Sequence, residues 1–358
     1  MNIKSKFQEK WSDIFIEKGN QGLLALAPRT GKCRLSLKIA EKNNCKEILV
    51  VYPDNKIKNS WLKDVQETAF QANIVYTTYL SLHKHIRTYD YVFFDEIHQT
   101  SDNQRQDIVA VLKLNKKWAG LSGSLSTRTI RELNEYFKAK VVIEYSIEQA
   151  IKDGLISNYE IHVVSCKLDN KITFKNKKGQ LITEKKASDN YSYVIDWLRS
   201  QGKSTMFPAL ARMRLIQKSV GKIEKTKELL QQFKDKRVLI FNGLTTTANA
   251  FGSLVHHSKN ENEEEFINFT NDNSKFKHLA VVKIGNSGVT FKNLDIILLN
   301  YFDSNEENTA QKICRALLLD EDPDKIAKIY IICTNEDYEK KWLQKSLKMF
   351  TQSKIYYE

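Results

Sequence analysis

The chain lacks most of the features that would place it outside the ordinary globular classes. Its five cysteines, at 33, 45, 166, 314 and 333, form no CxxC pair and share no metal-ligand spacing with histidine. Buried thiols in a reducing compartment are therefore expected, not a disulfide framework or a zinc centre. No stretch approaches the roughly 18 apolar residues of a membrane span, so no membrane partner is expected. The opening MNIKSKFQEKW holds no apolar core of a secretion signal, which points to a cytoplasmic protein. His83 and His85 flank Lys84 in a helical pattern that reads as solvated surface rather than a metal site. No internal repeat marks a solenoid or propeller. Acidic charge is also short: 43 Asp and Glu face 56 Lys and Arg, a formal net charge of +13. That balance favours a polyanionic partner, nucleic acid first. The competing source of the excess is the Lys- and Asn-rich bias of an AT-rich genome.

At 358 residues the chain is too long for one ordinary core, and two domains of about 150 residues are expected. Over 22–145, short apolar runs at 22–27, 47–52, 73–77, 89–94, 117–122 and 140–145 alternate with amphipathic stretches such as 34–43 and 54–70. Alternation of this kind predicts βαβ units and an α/β fold with a parallel sheet covered on both faces. Chemistry in such sheets gathers at the carboxyl ends of the strands. A second block begins near Lys236, with strands expected at 237–242, 278–284, 294–300 and 328–333 and helices over 245–255, 261–269, 306–319 and 335–349. The lysine-rich stretch between the blocks, 167–190, reads as a hairpin or loop followed by helices over 191–200 and 209–233. It is either a nucleic-acid contact or a solvated connector. The expected division is a first lobe over 1–165, a basic linker or insertion over 166–208, and a second lobe over 209–358 with a C-terminal helix. Two lobes in series would leave a cleft between them.

Two short motifs carry chemistry. Ala27-Pro28-Arg29-Thr30-Gly31-Lys32-Cys33 follows the run at 22–27. A loop of this kind opening a helix offers backbone N–H groups and a positive helix end to phosphates, and Lys32 adds a charge for the β/γ-phosphates. The full phosphate-loop pattern is not met, because Leu26 stands at its first glycine and Cys33 at its Ser/Thr. A thiol is a poor ligand for Mg²⁺, so weakened metal binding is expected. Tyr91-Val92-Phe93-Phe94-Asp95-Glu96-Ile97-His98 places two carboxylates at a strand end. There an aspartate can hold Mg²⁺ and a glutamate can polarise an attacking water. The competing reading is a pair of acids capping a strand.

In Asp95-Glu96-Ile97-His98 the sequence resembles the superfamily 2 helicases and their DExH box, and other segments are similar to that family's motifs in order. Ile48-Leu49-Val50-Val51-Tyr52-Pro53, ending in Trp61, is similar to motif Ia, Val75-Tyr76-Thr77-Thr78-Tyr79 to motif Ib, and Gly120-Leu121-Ser122-Gly123-Ser124-Leu125-Ser126 to motif III. Val238-Leu239-Ile240-Phe241-Asn242 resembles motif IV and Gln311-Lys312-Ile313-Cys314-Arg315 motif VI. The stretch from Asn286 through Gly288, Val289 and Thr290 to Asp295 resembles motif V as it stands in phage UvsW-like helicases.

The resemblance implies two tandem RecA-like lobes and an ATP- and Mg²⁺-dependent helicase or translocase. The implied partner is nucleic acid, DNA before RNA, in phage replication, recombination or repair. Proteins of those processes are candidate partners, and the host cytoplasm would be the location. It further implies that Arg29, Thr30, Gly31, Lys32 and Cys33 cradle the phosphates, with Gln8 reading adenine and Gly288 near the nucleotide. Asp95 would take the metal, Glu96 act as base, and Gln311 and Arg315 face the nucleotide. His98 would couple the nucleotide site to the second lobe. Pro53, Thr77, Thr78 and Thr290 would lie near the nucleic-acid backbone. Leu318 stands where the family carries its last motif VI arginine, which predicts slow hydrolysis. Trp61, Tyr76 and Tyr79 are read as core packing before base stacking. Two alternatives remain: a nucleic-acid-binding scaffold with a degenerate ATPase site, and the motor subunit of a restriction-like complex, whose nuclease would have to be another chain.

Overall fold

The computed structural model describes residues 3–123, 125–176, 179–251, 254–258, 262–282, 289–319, 322 and 324–358. The chain divides into two compact units, the first running to Ser157 and taking in Val289 as well, the second holding the rest from Asn158.

The first unit opens with α1 (Ile3–Glu17), β1 (Gln21–Leu26), α2 (Lys32–Lys42), β2 (Glu47–Tyr52), α3 (Asn55–Thr68) and β3 (Asn73–Thr78). It continues with β4 (Tyr91–Asp95), α4 (Asp102–Leu114), β5 (Trp118–Ser122), α5 (Thr127–Phe137), β6 (Val141–Tyr145) and α6 (Ile147–Lys152). Its six strands form one parallel sheet in the order β3-β2-β4-β5-β1-β6. Every residue of β4 and β5 is buried, as a sheet covered on both faces requires. Local chemistry starts the helices where the strands demand it. Ser101 and Ser146 close capping boxes with Gln104 and Gln149, and Ser126 accepts from the Thr129 N–H at 3.2 Å.

One consequence of the strand order positions the site. Only β5 separates β1 from β4, and the register pairs Ala25 with Ser122 and Asp95 with Leu121. The loop after β1, the acids ending β4 and Ser122 therefore meet at one carboxyl edge.

The second unit begins with β7 (Asn158–Cys166), the hairpin β8 (Thr173–Lys175) and β9 (Leu181–Thr183), then α7 (Glu184–Ser200), α8 (Met206–Gln217) and α9 (Val220–Gln232). There follow β10 (Val238–Asn242), α10 (Thr245–Ala248), β11 (Leu254–His256), α11 (Glu263–Thr270), β12 (His278–Val282) and β13 (Ile296–Leu299). Last come α12 (Glu306–Ile313), β14 (Ile326–Thr334), α13 (Asp337–Ser346) and β15 (Ile355–Tyr357). Seven strands form a second parallel sheet, β11-β12-β10-β13-β14-β7-β15.

Several boundaries differ from the sequence expectation, each for a packing reason. Asn158–Cys166, which straddles the expected end of the first lobe at 165, pairs along its whole length with Ile326–Thr334 in the second sheet. Its buried Tyr159, Ile161 and Val163 supply the alternation that carries it there. Much of the stretch expected as a linker is ordered within the second unit, as the β8–β9 hairpin, α7 and the start of α8. The helix expected over 209–233 breaks at Lys218 and Ser219 into α8 and α9, and the one expected over 245–255 stops early so that β11 can pair with β12. The chain also ends on a strand, β15, beyond the expected C-terminal helix α13.

Candidate active site

The loop between β1 and α2 is held from beneath. The Gln8 amide of α1 donates to the carbonyls of Thr30 (3.2 Å) and Gly31 (3.3 Å), and the buried Thr30 hydroxyl donates back to the Ala27 carbonyl at 2.7 Å. Gly31 sits at φ 86° and a Cβ there would strike the Gln8 amide, so the position needs glycine on two counts. Arg29 also takes left-handed backbone, φ 71°. Lys32 is the first residue of α2 and Cys33 the second.

At the end of β4, Asp95 is fastened by three donors. The Trp61 indole N–H donates to Oδ2 at 2.9 Å, the Glu96 N–H to Oδ1 at 3.0 Å, and the Tyr79 hydroxyl to the Asp95 carbonyl at 2.8 Å. Glu96 turns out of the strand at φ 49°, a conformation that costs an ordinary residue about 1–2 kcal/mol. The turn brings its Oε1 to 3.4 Å from Lys32 Nζ and its Oε2 to 3.4 Å from His98 Nδ1. Ser122 Oγ in turn lies 2.6 Å from His98 Nδ1. Backbone strain at Arg29 and at Glu96 thus falls within the two motifs singled out from sequence, where strained residues often mark function.

The electrostatics separate the two acids. Burial, then the adjacent Glu96 charge, pushes the Asp95 carboxyl up to about 6. Burial also acts upward on Glu96, but Lys32 and His98 outweigh it and hold this carboxyl below its ordinary value. Lys32 is the mirror case: burial would lower it, and Glu96 and Asp95 together raise it. Burial, Asp95 and Asp64 push the Cys33 thiol far up, so it stays protonated.

Whether this edge could hold a metal turns on its oxygens. Among the described residues no cluster of three or more His, Cys, Asp or Glu could hold an ion by itself. Mg²⁺ does not require one, since it commonly takes one or two carboxylates together with phosphate oxygens and waters. Asp95 offers such a carboxylate beside a phosphate-type loop, while Cys33 offers only sulfur, so the residues fit the ion with one ligand fewer than a hydroxyl would give.

The remaining expected residues divide by unit. Pro53 directly follows β2 and Thr77 and Thr78 end β3, and the register pairs Tyr52 with Thr78, so all three share one corner of the first sheet. Gln311 lies on α12 and the buried Arg315 in the turn after it, both in the second unit. Thr290 is exposed, and Gly288 lies outside the described residues. Trp61 and Tyr79 are fully buried, which removes their faces from base stacking, and Tyr76 lies beneath the Lys58 ammonium at 5.3 Å. What sequence reasoning missed is the bracing. Trp61, Tyr79 and Ser122 stood inside quoted segments, but no spacing signals that an indole some thirty residues upstream, 34 in this chain, reaches Asp95.

S. cerevisiae Dbp5 bound to RNA and ADP BeF3 is similar over 98% of this chain and 88% of its own, with a TM-score of 0.64 and 12% identity. A variant of Dbp5 in the same bound state gives 99%, 89%, 0.64 and 12%. The Hef helicase domain of Pyrococcus furiosus is similar over 94% of this chain and 97% of its own, with a TM-score of 0.51 and 12% identity. The fold is a tandem pair of RecA-like lobes, as in helicase domains. At this identity the likeness carries the architecture alone. No family model and no curated protein matches the sequence.

Proposed function

We propose that the chain is an ATP-dependent nucleic-acid helicase or translocase. The observation that carries the reading is the 3.4 Å approach of Lys32 to Glu96, which joins a phosphate-type loop to an acid pair at one sheet edge. Mg²⁺ bound with the triphosphate would supply charge neutralisation at the phosphates. Lys32 and the N–H groups opening α2 would hold the phosphates. Asp95, kept in place by Trp61, would be the metal's protein ligand. Glu96, kept ionised by Lys32 and His98, would accept a proton from the attacking water. His98 would report the state of that carboxylate through Ser122. Gln8, Arg29, Thr30 and Cys33 would shape the nucleotide cradle, with Gln8 also reading adenine. Gln311 and Arg315 of the second unit, together with Gly288, would act on the same nucleotide as the protein cycles. Pro53, Thr77, Thr78 and Thr290 would meet the nucleic-acid backbone.

DNA is favoured over RNA, in replication, recombination or repair of a phage. The support is the motif V resemblance, while the net charge of +13 suits either polyanion. Backbone contacts of this kind would weaken steeply with salt and read little sequence. A second reading, a nucleic-acid-binding scaffold with a degenerate ATPase site, draws on Cys33 and Leu318. Both are tested by ATP hydrolysis with and without single-stranded DNA, duplex DNA, forked DNA and RNA, against Glu96→Gln. Hydrolysis stimulated by nucleic acid and lost in Glu96→Gln supports the motor. Equal inertness of the two proteins supports the scaffold.

A further inference from the structure

A surface helix ordinarily turns a polar face to water. The paired helices α7 and α8 do otherwise. Each hides one stripe, Ala187, Ser188 and Ile195 on α7 and Leu215 and Ile216 on α8. Each also leaves a second apolar set in solvent: Tyr193, Val194 and Trp197 on the last turns of α7, and Met206, Phe207 and Leu210 on the first turns of α8. Spacings of three and four residues put each set on one side of its helix. The helices pack on each other and are joined by 201–205, so both sets flank one tip. Phe207 is 77% exposed, Tyr193 74% and Trp197 50%. Apolar surface gathered in this way marks a binding face.

The surrounding charge indicates what binds. From Tyr193 to Arg214 there is one acid, Asp196, against the bases Arg199, Lys203, Arg212 and Arg214. Arg199 donates to Asp196 at 3.1 Å. Arg212 lies on the Tyr338 ring at 3.6 Å and donates to the Ser192 hydroxyl, which fixes it within the fold. Lys203 and Arg214 make no ion pair among the described residues, and the Lys203 ammonium stands 5.6 Å from the Trp197 ring centroid. Exposed rings flanked by uncompensated cations complement bases and phosphates, whereas an apolar protein surface would have to desolvate those cations.

We infer that the α7–α8 tip binds single-stranded nucleic acid, with unpaired bases stacking on Tyr193, Trp197 and Phe207 and phosphates meeting Lys203 and Arg214. A duplex keeps its base faces stacked internally and gains nothing from the rings. The inference shares only its class of partner with the motor reading and uses none of the nucleotide-site residues.

The experiment uses the full chain and fluorescence anisotropy with an oligothymidylate and with a duplex, at one fixed salt concentration. The proteins are wild type, Trp197→Ala with Phe207→Ala, and the ring-keeping Trp197→Phe with Phe207→Tyr. Loss of each ring should lower single-strand affinity about 5- to 150-fold, while the ring-keeping variant stays close to wild type and duplex affinity is unchanged. Equal single-strand affinity in the alanine variant overturns the inference. So does loss of concentration-dependent self-association in that variant with oligonucleotide binding intact, which would make the tip a protein contact. A wild type that binds no nucleic acid defeats the motor reading as well, whereas wild type and alanine variant binding alike defeats only this site.

Discussion

Each unit holds a lysine facing a glutamate, and the two pairs differ in a way that separates structure from chemistry. In the second unit, Lys222 and Glu339 are 2.5 Å apart with side chains 1% and 4% exposed. The Lys222 ammonium also reaches the Asn300 carbonyl, and the other Glu339 oxygen accepts from the Thr334 N–H at 2.7 Å and from its hydroxyl. Both charges of the pair are met by partners within the fold. In the first unit, Lys32 and Glu96 stand 3.4 Å apart, are 14% and 17% exposed, and meet at a sheet edge where Glu96 itself takes left-handed backbone. A tight, fully satisfied pair fixes a fold, while a slack and reachable pair can exchange its partner for a substrate.

That contrast breaks if the two lysines behave alike on removal. Lys222→Ala strands a buried carboxylate and should cost about 3–5 kcal/mol of second-unit stability, read as an early transition in urea unfolding. Lys32→Ala should cost less than Lys222→Ala, because its partner is partly reached by water and protonation of Asp95 relieves part of the loss. Its effect should appear instead as lost binding of a fluorescent ATP analogue. A large unfolding shift in Lys32→Ala with nucleotide binding retained would make the first pair structural too.

The bracing of Asp95 gives the next largest effect. Trp61→Phe keeps an aromatic ring beside Phe93 but removes a hydrogen bond to a carboxylate, worth about 1.5–3 kcal/mol. The bond favours the charged form, so its loss should move the Asp95 titration above about 6. Asp95 has a raised folded pKa, and the native state therefore keeps a proton that the unfolded chain has released above its ordinary value near 4. Its contribution to stability is present at low pH and is lost as pH rises through about 6. Trp61→Phe should extend that declining limb upward in thermal unfolding followed across pH, and Asp95→Asn should flatten it. An unchanged limb in Trp61→Phe would remove the indole from the argument.

The contrast also shows what the sequence made legible. Most strands of the two sheets are apolar runs, and runs such as 47–52 coincide with the observed β2. The phosphate-type loop and Asp95-Glu96 were visible because a glycine-lysine pair and an acid pair follow such runs directly. Lys222 gave no signal, being one lysine among several on an amphipathic helix whose partner lies 117 residues away. Trp61 failed for the same reason, since its partner comes from long-range packing. β7 was missed because half of its alternating residues are polar, and only pairing with β14 and β15 reveals which face is inside.

Cys33 sharpens the comparison at the smallest scale. Its thiol occupies the second residue of α2 and stays protonated, because burial and the nearby acids oppose a thiolate. A neutral thiol is a poor substitute for an oxygen ligand to Mg²⁺. Cys33→Thr puts a hydroxyl of similar size at this place, and a threonine there can donate or accept without titrating. If Asp95 and this position flank the ion, the variant should reach half-maximal hydrolysis at several-fold lower Mg²⁺, a gain of about 1 kcal/mol. Its thermal stability without nucleotide should be nearly unaltered. The decisive measurement is a Mg²⁺ titration of hydrolysis at saturating ATP for wild type and variant. Coincident curves would show that the slack of the Lys32–Glu96 pair is not shared by Cys33, and that the metal, if used, sits on the far side of Asp95.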